Sequence, residues 1–257
     1  MRLLLAAALV AVPAFAHAAT YEFHTTSNGH KTTSTTVLAP KALCVTTSGM
    51  SGAANGGKMI FVDNPPVIFY ERAGKVERMD QARIEQMKQQ LQAVTGGSPD
   101  IRKAMEAALA KVPPAQREIM RKQMEKSMGA MMPNKNGKPH ERKFAATGKT
   151  KTVNGYKTTE YMITDENGKK VGTAMLTPVS ALPDGKALMG RIDSMLNLVK
   201  GLMSQFGMNG VTGNFMNLPK GLFPVAGKDF GEDGKVTQEM MLAKATSATP
   251  SDCKAPE

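Results

Sequence analysis

The chain has no tryptophan and few other aromatic residues, with four tyrosines and nine phenylalanines among 257 residues. Its formal net charge of +11 would by itself suggest a nucleic-acid partner. Proteins that bind single strands stack the bases on aromatic side chains set among basic ones, and no such stretch occurs here. We therefore predict no nucleic-acid partner. The charge suits peripheral contact with anionic envelope surfaces, or a positive surface that merely keeps the protein in solution.

Long apolar runs are also missing. Leu3–Val12 covers about ten residues, whereas a helix that crosses a bilayer needs about 20. Arg2 places a positive charge before this run, and Ala16–Ala18 provides the small residues of a cleavage site. The pattern predicts a signal peptide over residues 1–19, with the mature chain beginning at residue 19 or 20. We expect export to the periplasm and no membrane span.

Cysteine is scarce. Cys44 lies in a strand-like run, and Cys253 lies four residues from the last residue. Cys44 is too far from the predicted cleavage site to carry the lipid of a lipoprotein. In an oxidising compartment two cysteines form a natural pair, and closing so long a loop stabilises a fold by up to roughly 5 kcal/mol. We predict a disulfide; two free thiols are the alternative, and the lack of a C-x-x-C motif disfavours a redox role.

The early mature chain shows the two-residue period of β-strands. Tyr21 and Phe23 alternate with polar neighbours, and the turn dipeptide Asn28-Gly29 leads into the threonine-rich run Thr32–Leu38. Further strand-like runs lie at Leu43–Thr47, Met59–Val62, Val67–Glu71 and Lys75–Met79. Together they predict a β-meander.

From Asp80 the period becomes that of helices, with apolar residues at three- and four-residue steps. Gly96-Gly97 ends the first predicted helix, Ser98-Pro99 begins a second, and Pro113-Pro114 precedes a third. The apolar positions of the first helix are Ile84, Met87, Leu91 and Val94. We predict a helical insertion over residues 80–132.

Strand signals return after the insertion. Asn154-Gly155 and Asn167-Gly168 are turn dipeptides that predict consecutive hairpins. The runs that they separate are Phe144–Val153, Tyr156–Asp165 and Lys170–Thr177. Asp233-Gly234 predicts a closing hairpin with the strands Leu222–Phe230 and Lys235–Lys244. A polar tail over residues 248–257 follows.

The segment Ala146–Lys157, Ala-Thr-Gly-Lys-Thr-Lys-Thr-Val-Asn-Gly-Tyr-Lys, resembles the paired strands of an uncharacterised bacterial periplasmic family with the lipoprotein-localisation (LolA/LolB-like) fold. Leu222–Val225, ahead of Asp233–Lys235, is similar to the closing hairpin of that family. The resemblance implies an α+β fold in which an antiparallel half-barrel carries the helical insertion and a second amphipathic helix on its concave face. It implies a single domain over residues 20–247 and no catalytic residues.

Motifs that would carry chemistry are incomplete. Gly148-Lys149-Thr150 ends like a phosphate-binding loop, but Lys143 stands where the leading glycine is required. His24, His30 and His140 are the histidines of the predicted mature chain, and none has the spacing of a zinc site. We predict that the protein is not an enzyme and has no catalytic residues, no metal site among these groups and no cofactor.

Methionine is abundant, with 20 residues, and five lie on one face of the third predicted helix, namely Met120, Met124, Met128, Met131 and Met132. Thioethers bind soft ions such as Cu(I) and Ag(I). They also form an adaptable apolar surface that suits a core or a lid.

A fourth amphipathic helix is predicted from Asp184. The positions predicted to line a ligand cavity are Met120, Met124, Met128, Leu188, Ile192, Met195 and Val199.

These patterns predict a non-enzymatic periplasmic protein that binds an apolar ligand, a lipid or an acylated peptide, between sheet and helices. Fold resemblance does not by itself establish such a role. One alternative is the binding of soft metal ions by the methionine-rich helix. Another is a structural protein whose apolar helix faces dock an envelope partner. An open apolar cavity would favour the ligand, and a closed dry core would favour the partner.

Overall fold

A computed structural model describes residues 18–48, 57–72, 74–95, 109–110, 112–113, 116–119, 142–205, 218–247 and 253–256. The described strands are β1 Ala19–Ser27, β2 His30–Leu38, β3 Ala42–Ser48, β4 Lys58–Asp63, β5 Pro66–Arg72, β6 Lys75–Asp80, β7 Lys143–Val153, β8 Tyr156–Thr164, β9 Lys170–Pro178, β10 Leu222–Phe230 and β11 Val236–Ser247. The helices bounded within these ranges are α1 Gln81–Thr95 and α2 Gly185–Gln205. Residues 1–17 of the predicted signal peptide and most of the predicted insertion lie outside the described residues, whereas Ala18 and Ala19 are described and Ala19 begins β1.

All eleven strands form one antiparallel sheet in the order β6-β5-β4-β3-β2-β1-β11-β10-β9-β8-β7. Two meanders, β1 to β6 and β7 to β11, meet where β1 pairs with β11. Ala19 therefore has Leu38 on one side and Ser247 on the other. The predicted strands and their antiparallel pairing are confirmed. The sheet is open, with β6 and β7 at its edges.

Two of the predicted turn dipeptides have the dihedral angles of type I′ turns, whereas Asn167-Gly168 and Asp233-Gly234 have a positive φ only at the glycine. Asn28 and Gly29 have φ values of 49° and 81°, and Asn154 and Gly155 have values of 48° and 85°. Both central residues of a type I′ turn need a positive φ, which glycine and asparagine adopt most readily. Each dipeptide therefore fixes the register of the hairpin that it closes.

The main core lies between one face of the sheet and α2. Large side chains on alternate strand positions, such as Tyr21, Phe61 and Phe223, are fully buried. The buried members of this cluster are Ala19, Tyr21, Leu38, Leu43, Phe61, Ile68, Ile84, Val179, Leu182, Leu188, Leu198, Phe223, Val225 and Leu242. Helix α1 contributes Ile84 to the same core, so both helices pack on one sheet face.

The chain end covers the opposite face of the first meander. Neighbouring residues of a strand point to opposite faces, so Cys44 projects away from the core that Leu43 enters. Cys44 and Cys253 are joined in a disulfide across 209 residues of sequence, and Cys253 is buried. This second cluster consists of Ala39, Ala42, Cys44, Ile60 and Cys253, with Val37, Val62 and Phe69 packed against it.

The second meander is strongly curved, so that the turn of its first hairpin contacts its last strand. The β7–β8 turn reaches β11, where the Asn154 side-chain amide donates a 2.6 Å hydrogen bond to the Leu242 carbonyl. At the other end of β7, Arg142 Nη1 lies 2.8 Å from Asp229 Oδ1 on β10. Bulges increase the bend, one of them between Pro224 and Ala226.

No helix among the described residues is long and apolar enough to cross a membrane.

Candidate functional site

The apolar stripe predicted on the fourth helix faces the core. Leu188 is 1% exposed, and Ile192, Met195 and Val199 are partly buried against the same cluster. These four side chains fill the space between α2 and the sheet, so a ligand reaches them only if α2 moves away. The other predicted lining residues, Met120, Met124 and Met128, lie outside the described part of the chain.

Contacts at the start of α2 hold the helix on the sheet. The Tyr21 hydroxyl donates a hydrogen bond to the Pro183 carbonyl. The amide of Ala18, a residue of the predicted signal peptide, donates to Asp184 Oδ2 at 3.2 Å. A Cβ on Gly185 would lie 2.1 Å from the Val179 carbonyl oxygen, a distance that only glycine allows. The helix therefore begins in close contact with the loop that leads into it.

A second set of contacts holds the other flank of α2. Arg191 Nη1 lies 3.3 Å from Asp63 Oδ2, beside the β4–β5 turn. Arg191 Nη2 also donates a 3.0 Å hydrogen bond to the Pro40 carbonyl in the β2–β3 connection. The arginine side chain is 14% exposed and its partner Asp63 is 41% exposed, so the ion pair is partly screened by solvent and the arginine acts mainly by bridging two turns.

The remaining flank of α2 borders a groove of about 840 Å³, which we call the α2 groove. One wall is the helix, with Met189 and Leu196, and the other is the segment from Leu218 to the first residue of β10, Leu222. The groove is lined by Val179, Ser180, Lys186, Met189, Gly190, Asp193, Leu196, Asn197, Leu218, Pro219, Lys220, Gly221 and Leu222. It is open to solvent and differs in this respect from the packed core beneath the helix.

The charged groups of the α2 groove are two lysines and one acid, and Ser180 and Asn197 are its uncharged polar residues. Lys186, Lys220 and Asp193 are all exposed. Within the described residues none of the three lies in an ion pair. The groove thus combines apolar walls with a small excess of positive charge at its rim.

The helix interior at Gly190 leaves space in the groove. A Cβ added to Gly190 would meet no atom within 4 Å. Glycine costs roughly 1 kcal/mol relative to alanine inside a helix, so its presence here is not explained by helix propensity. The missing side chain widens the groove between Met189 and Asp193.

A smaller cavity of about 150 Å³ lies on the second meander. Phe144, Ile163, Leu218 and Met240 contribute apolar lining, and the Arg142–Asp229 ion pair closes one side. The cavity has room for only a few ligand atoms. The α2 groove is the larger opening and has the size range of pockets that bind small molecules.

The titratable groups of the core have a structural role. Burial, together with the nearby Asp184 carboxylate and Tyr156, raises the pKa of Tyr21 above its usual value. Burial also raises the pKa of Tyr156. Both phenols stay neutral over the physiological range, and Tyr21 acts as a hydrogen-bond donor.

The histidines within the described ranges do not form a metal site. His24 Nε2 lies 2.7 Å from Glu22 Oε1 on the exposed surface, and His30 is exposed in the β1–β2 hairpin. Among the described residues, no group of three or more histidine, cysteine or acidic side chains could hold a metal ion. His140 lies outside these ranges.

Sequence reasoning missed the groove side of α2. Met189 and Leu196 are apolar residues seven positions apart that line the groove, where the sequence predicted a polar face, and Met189 also packs against the main core. Their spacing of two helical turns was an available signal. The opposing wall, Leu218–Leu222, comes from a connection whose position no local pattern indicates.

No protein-family model matches this chain, and no curated protein matches it at a significant level. Solved structures that it resembles include the crystal structure of MucB, with 12% sequence identity and a TM-score of 0.33, covering 93% of this chain and 57% of that one. MucB in complex with MucA(peri) gives 10% identity and a TM-score of 0.33, covering 93% and 54%. The Pseudomonas aeruginosa MucA/MucB complex gives 10% identity and a TM-score of 0.29, covering 93% and 56%. The chain spans little more than half the length of each.

Proposed function

We propose that this chain is an exported, non-enzymatic binding protein of the periplasm, and that the α2 groove holds the apolar part of a lipid or an acylated peptide. The observation that carries the proposal is an open groove of about 840 Å³ with apolar residues on both walls. Binding sites for small molecules are concave, mostly apolar and contain a few well-placed polar groups. The α2 groove has these three properties.

The charge at the rim indicates which ligands suit the groove. Lys186 and Lys220 stand on opposite walls, Lys186 on the helix and Lys220 two residues before β10. An amphiphile with an anionic head would place its chain against Met189 and Leu196 and its head near these ammonium groups. The net charge of +11, or +10 once Arg2 leaves with the signal peptide (11 − 1), adds a long-range attraction for anionic ligands.

The surrounding architecture supports a rigid site. One flank of α2 packs into the core through Leu188 and Leu198, and Arg191 holds another to two turns of the sheet. The groove therefore exists without a ligand, which limits the entropy that binding must overcome. An open antiparallel sheet with helices on one face also supports our assignment of a lipoprotein-localisation type of half-barrel.

Export is a part of the proposal that rests on the sequence and is supported by the disulfide. The Cys44–Cys253 bond belongs to an oxidising compartment such as the periplasm. Binding of soft metals by Met120, Met124 and Met128 stays a prediction, because these residues lie outside the described part of the chain.

A fluorescent fatty acid tests the groove directly. The mature protein, stripped of lipid, is titrated with a dansyl-labelled fatty acid, and we expect a saturable blue shift of the emission. Gly190→Leu adds a side chain into open space, so it should fold and weaken binding roughly tenfold or more by filling the groove. Gly190→Ala is the matched control and should bind nearly as well as the natural chain.

The lysines provide a second comparison. Replacing both Lys186 and Lys220 by glutamine should weaken the binding of the fatty acid more than that of the corresponding neutral amide. The proposal fails if the natural chain shows no saturable binding, or if Gly190→Leu binds as tightly as Gly190→Ala.

A further inference from the structure

Strand β7 is an edge of the sheet with an unusually exposed middle. In the described part of the chain it pairs with a single strand, β8. Residues 145–152 are exposed at eight consecutive positions. A strand that lay flat on a core would alternate buried and exposed residues. Both faces of this segment, and its outer backbone edge, are therefore accessible.

The exposed segment is held in place at both ends. At the tip of the hairpin Val153 and Tyr156 pack against the main core, and Asn154 donates its hydrogen bond to Leu242. At the base Arg142 pairs with Asp229, and Phe144 packs with the cluster of Ile163. The edge is thus presented as two extended stretches, residues 143–146 and 150–153, on either side of a bulge at residues 147–149 in which Gly148 has a φ of 78°. Both stretches are already ordered, so a partner strand that pairs with them would lose little entropy by ordering them.

The charge of this edge has a single sign. Residues 143–157 contain Lys143, Lys149, Lys151 and Lys157 and no acidic residue. Within the described residues, none of these lysines takes part in an ion pair. Lys151 lies opposite Thr158 and Lys157 opposite Thr152, so the two lysines project from opposite faces of the hairpin.

The other edge of the sheet differs from β7 in both its exposure and its charge. Strand β6 carries Lys75, Glu77, Arg78 and Asp80, and Arg78 Nε lies 3.0 Å from Asp80 Oδ2. Helix α1 follows β6 directly and contacts it. Strand β6 is therefore neutral and covered in part, whereas β7 is positive and open.

We propose that β7 is a docking edge for a partner protein, and that an extended acidic segment of this partner adds to the sheet as a further strand. Open edges accept strands through main-chain hydrogen bonds, and side chains select the sequence. Lysines on an edge repel a second copy of the same edge, which disfavours self-association. The same lysines attract carboxylates on either face of an incoming strand. This surface shares no residue with the α2 groove, so the inference goes beyond the proposed function.

The test uses a synthetic peptide of alternating glutamate and valine that carries a terminal fluorophore. Its binding to the full mature protein is followed by fluorescence anisotropy, and hydrogen exchange reports on the amides of 143–153. We expect saturable binding with slower exchange in β7. The same peptide with alternate amides N-methylated keeps its charge but cannot pair as a strand, and should bind at least tenfold more weakly.

Variants of the protein locate the site. Lys149→Glu with Lys151→Glu should weaken peptide binding at least tenfold, whereas Lys31→Glu with Lys75→Glu, an equal charge change at exposed positions elsewhere, should change it less than threefold. Equal binding of the N-methylated peptide would overturn the proposal, as would equal effects of the two double variants or no peptide binding. Binding of phosphatidylglycerol vesicles but not of the peptide, lost in Lys149→Glu/Lys151→Glu, would assign the edge to a membrane surface instead.

Discussion

Tyr21 links the first strand to the start of α2. Its ring is fully buried beside Phe223, with ring centroids 6.2 Å apart, and its hydroxyl donates to the Pro183 carbonyl. Asp184, which follows Pro183, accepts a hydrogen bond from the Ala18 amide through its side chain. Its backbone carbonyl accepts a hydrogen bond from the Leu188 amide at the start of α2. A buried hydroxyl without a partner would cost about 1–3 kcal/mol, so this bond is a condition for burying a tyrosine here.

The raised pKa of Tyr21 predicts a loss of stability at alkaline pH. The folded state holds the phenol proton more tightly than the unfolded chain, whose tyrosine titrates near its ordinary pKa of about 10. The contribution of the protonated Tyr21 to the free energy of unfolding is therefore complete below about pH 10 and falls as the pH rises beyond it. Tyr21→Phe should lower the free energy of unfolding by about 1–3 kcal/mol at pH 7, because the Pro183 carbonyl loses its donor.

Urea unfolding of both proteins at pH 7 and at about pH 10.5 checks this prediction, the upper value lying just above the ordinary tyrosine pKa. Tyr21→Phe should lose less stability between the two pH values than the natural chain loses. An equal loss in both proteins would show that Tyr21 does not contribute to the loss of stability at alkaline pH.

At the scale of elements, strands were predictable where local chemistry decides their ends. Asn28-Gly29 and Asn154-Gly155 fix their hairpins through positive φ angles that few other residues adopt. The bulge between Pro224 and Ala226 and the packing of Cys253 on the sheet depend on tertiary contacts, which no period reveals. The α2 groove belongs to this second class, because its walls come from separate elements.

Asp80 marks the change from strand to helix both in the sequence pattern and in the structure. It ends β6, and its Oδ1 accepts a 2.9 Å hydrogen bond from the Arg83 amide in the first turn of α1. This bond and the nearby Arg78 lower the pKa of Asp80. The capping contribution is therefore present above the ordinary pKa of an aspartate and is lost as the pH falls below it.

Removal of this cap should loosen the start of α1. We expect Asp80→Ala to speed amide hydrogen exchange in residues 81–84 at neutral pH, because the first turn loses an acceptor for its free amides. Asp80→Asn keeps an acceptor and should leave most of the protection. Exchange measured by mass spectrometry would contradict this account if Ala and Asn had the same effect.

At the scale of the whole molecule, the first and last of the described strands pair in the middle of the sheet. Strand β1 pairs with β11, so the two meanders are joined in the sheet by strands that lie far apart in the sequence. The disulfide adds a second link, from β3 to the segment after β11. Such non-local pairing carries a large loop-closure cost, which a covalent link reduces in the unfolded state.

The disulfide should therefore contribute much of the stability. Replacing both Cys44 and Cys253 by alanine should lower the free energy of unfolding by about 2–5 kcal/mol, as for other long loops. Unfolding in urea with and without a reductant, compared with the double variant, measures this contribution. An unchanged urea midpoint in the reduced protein would contradict it.

The most direct test of the central claim, that the α2 groove binds an apolar ligand, is a native mass spectrum of the mature protein purified from the periplasm without detergent. We predict an adduct of several hundred daltons, the mass range of drug-sized ligands and lipids, that disappears on denaturation and is absent from Gly190→Leu. An adduct retained in Gly190→Leu, a copper or silver mass increment in its place, or a clean mass with no adduct would contradict the account.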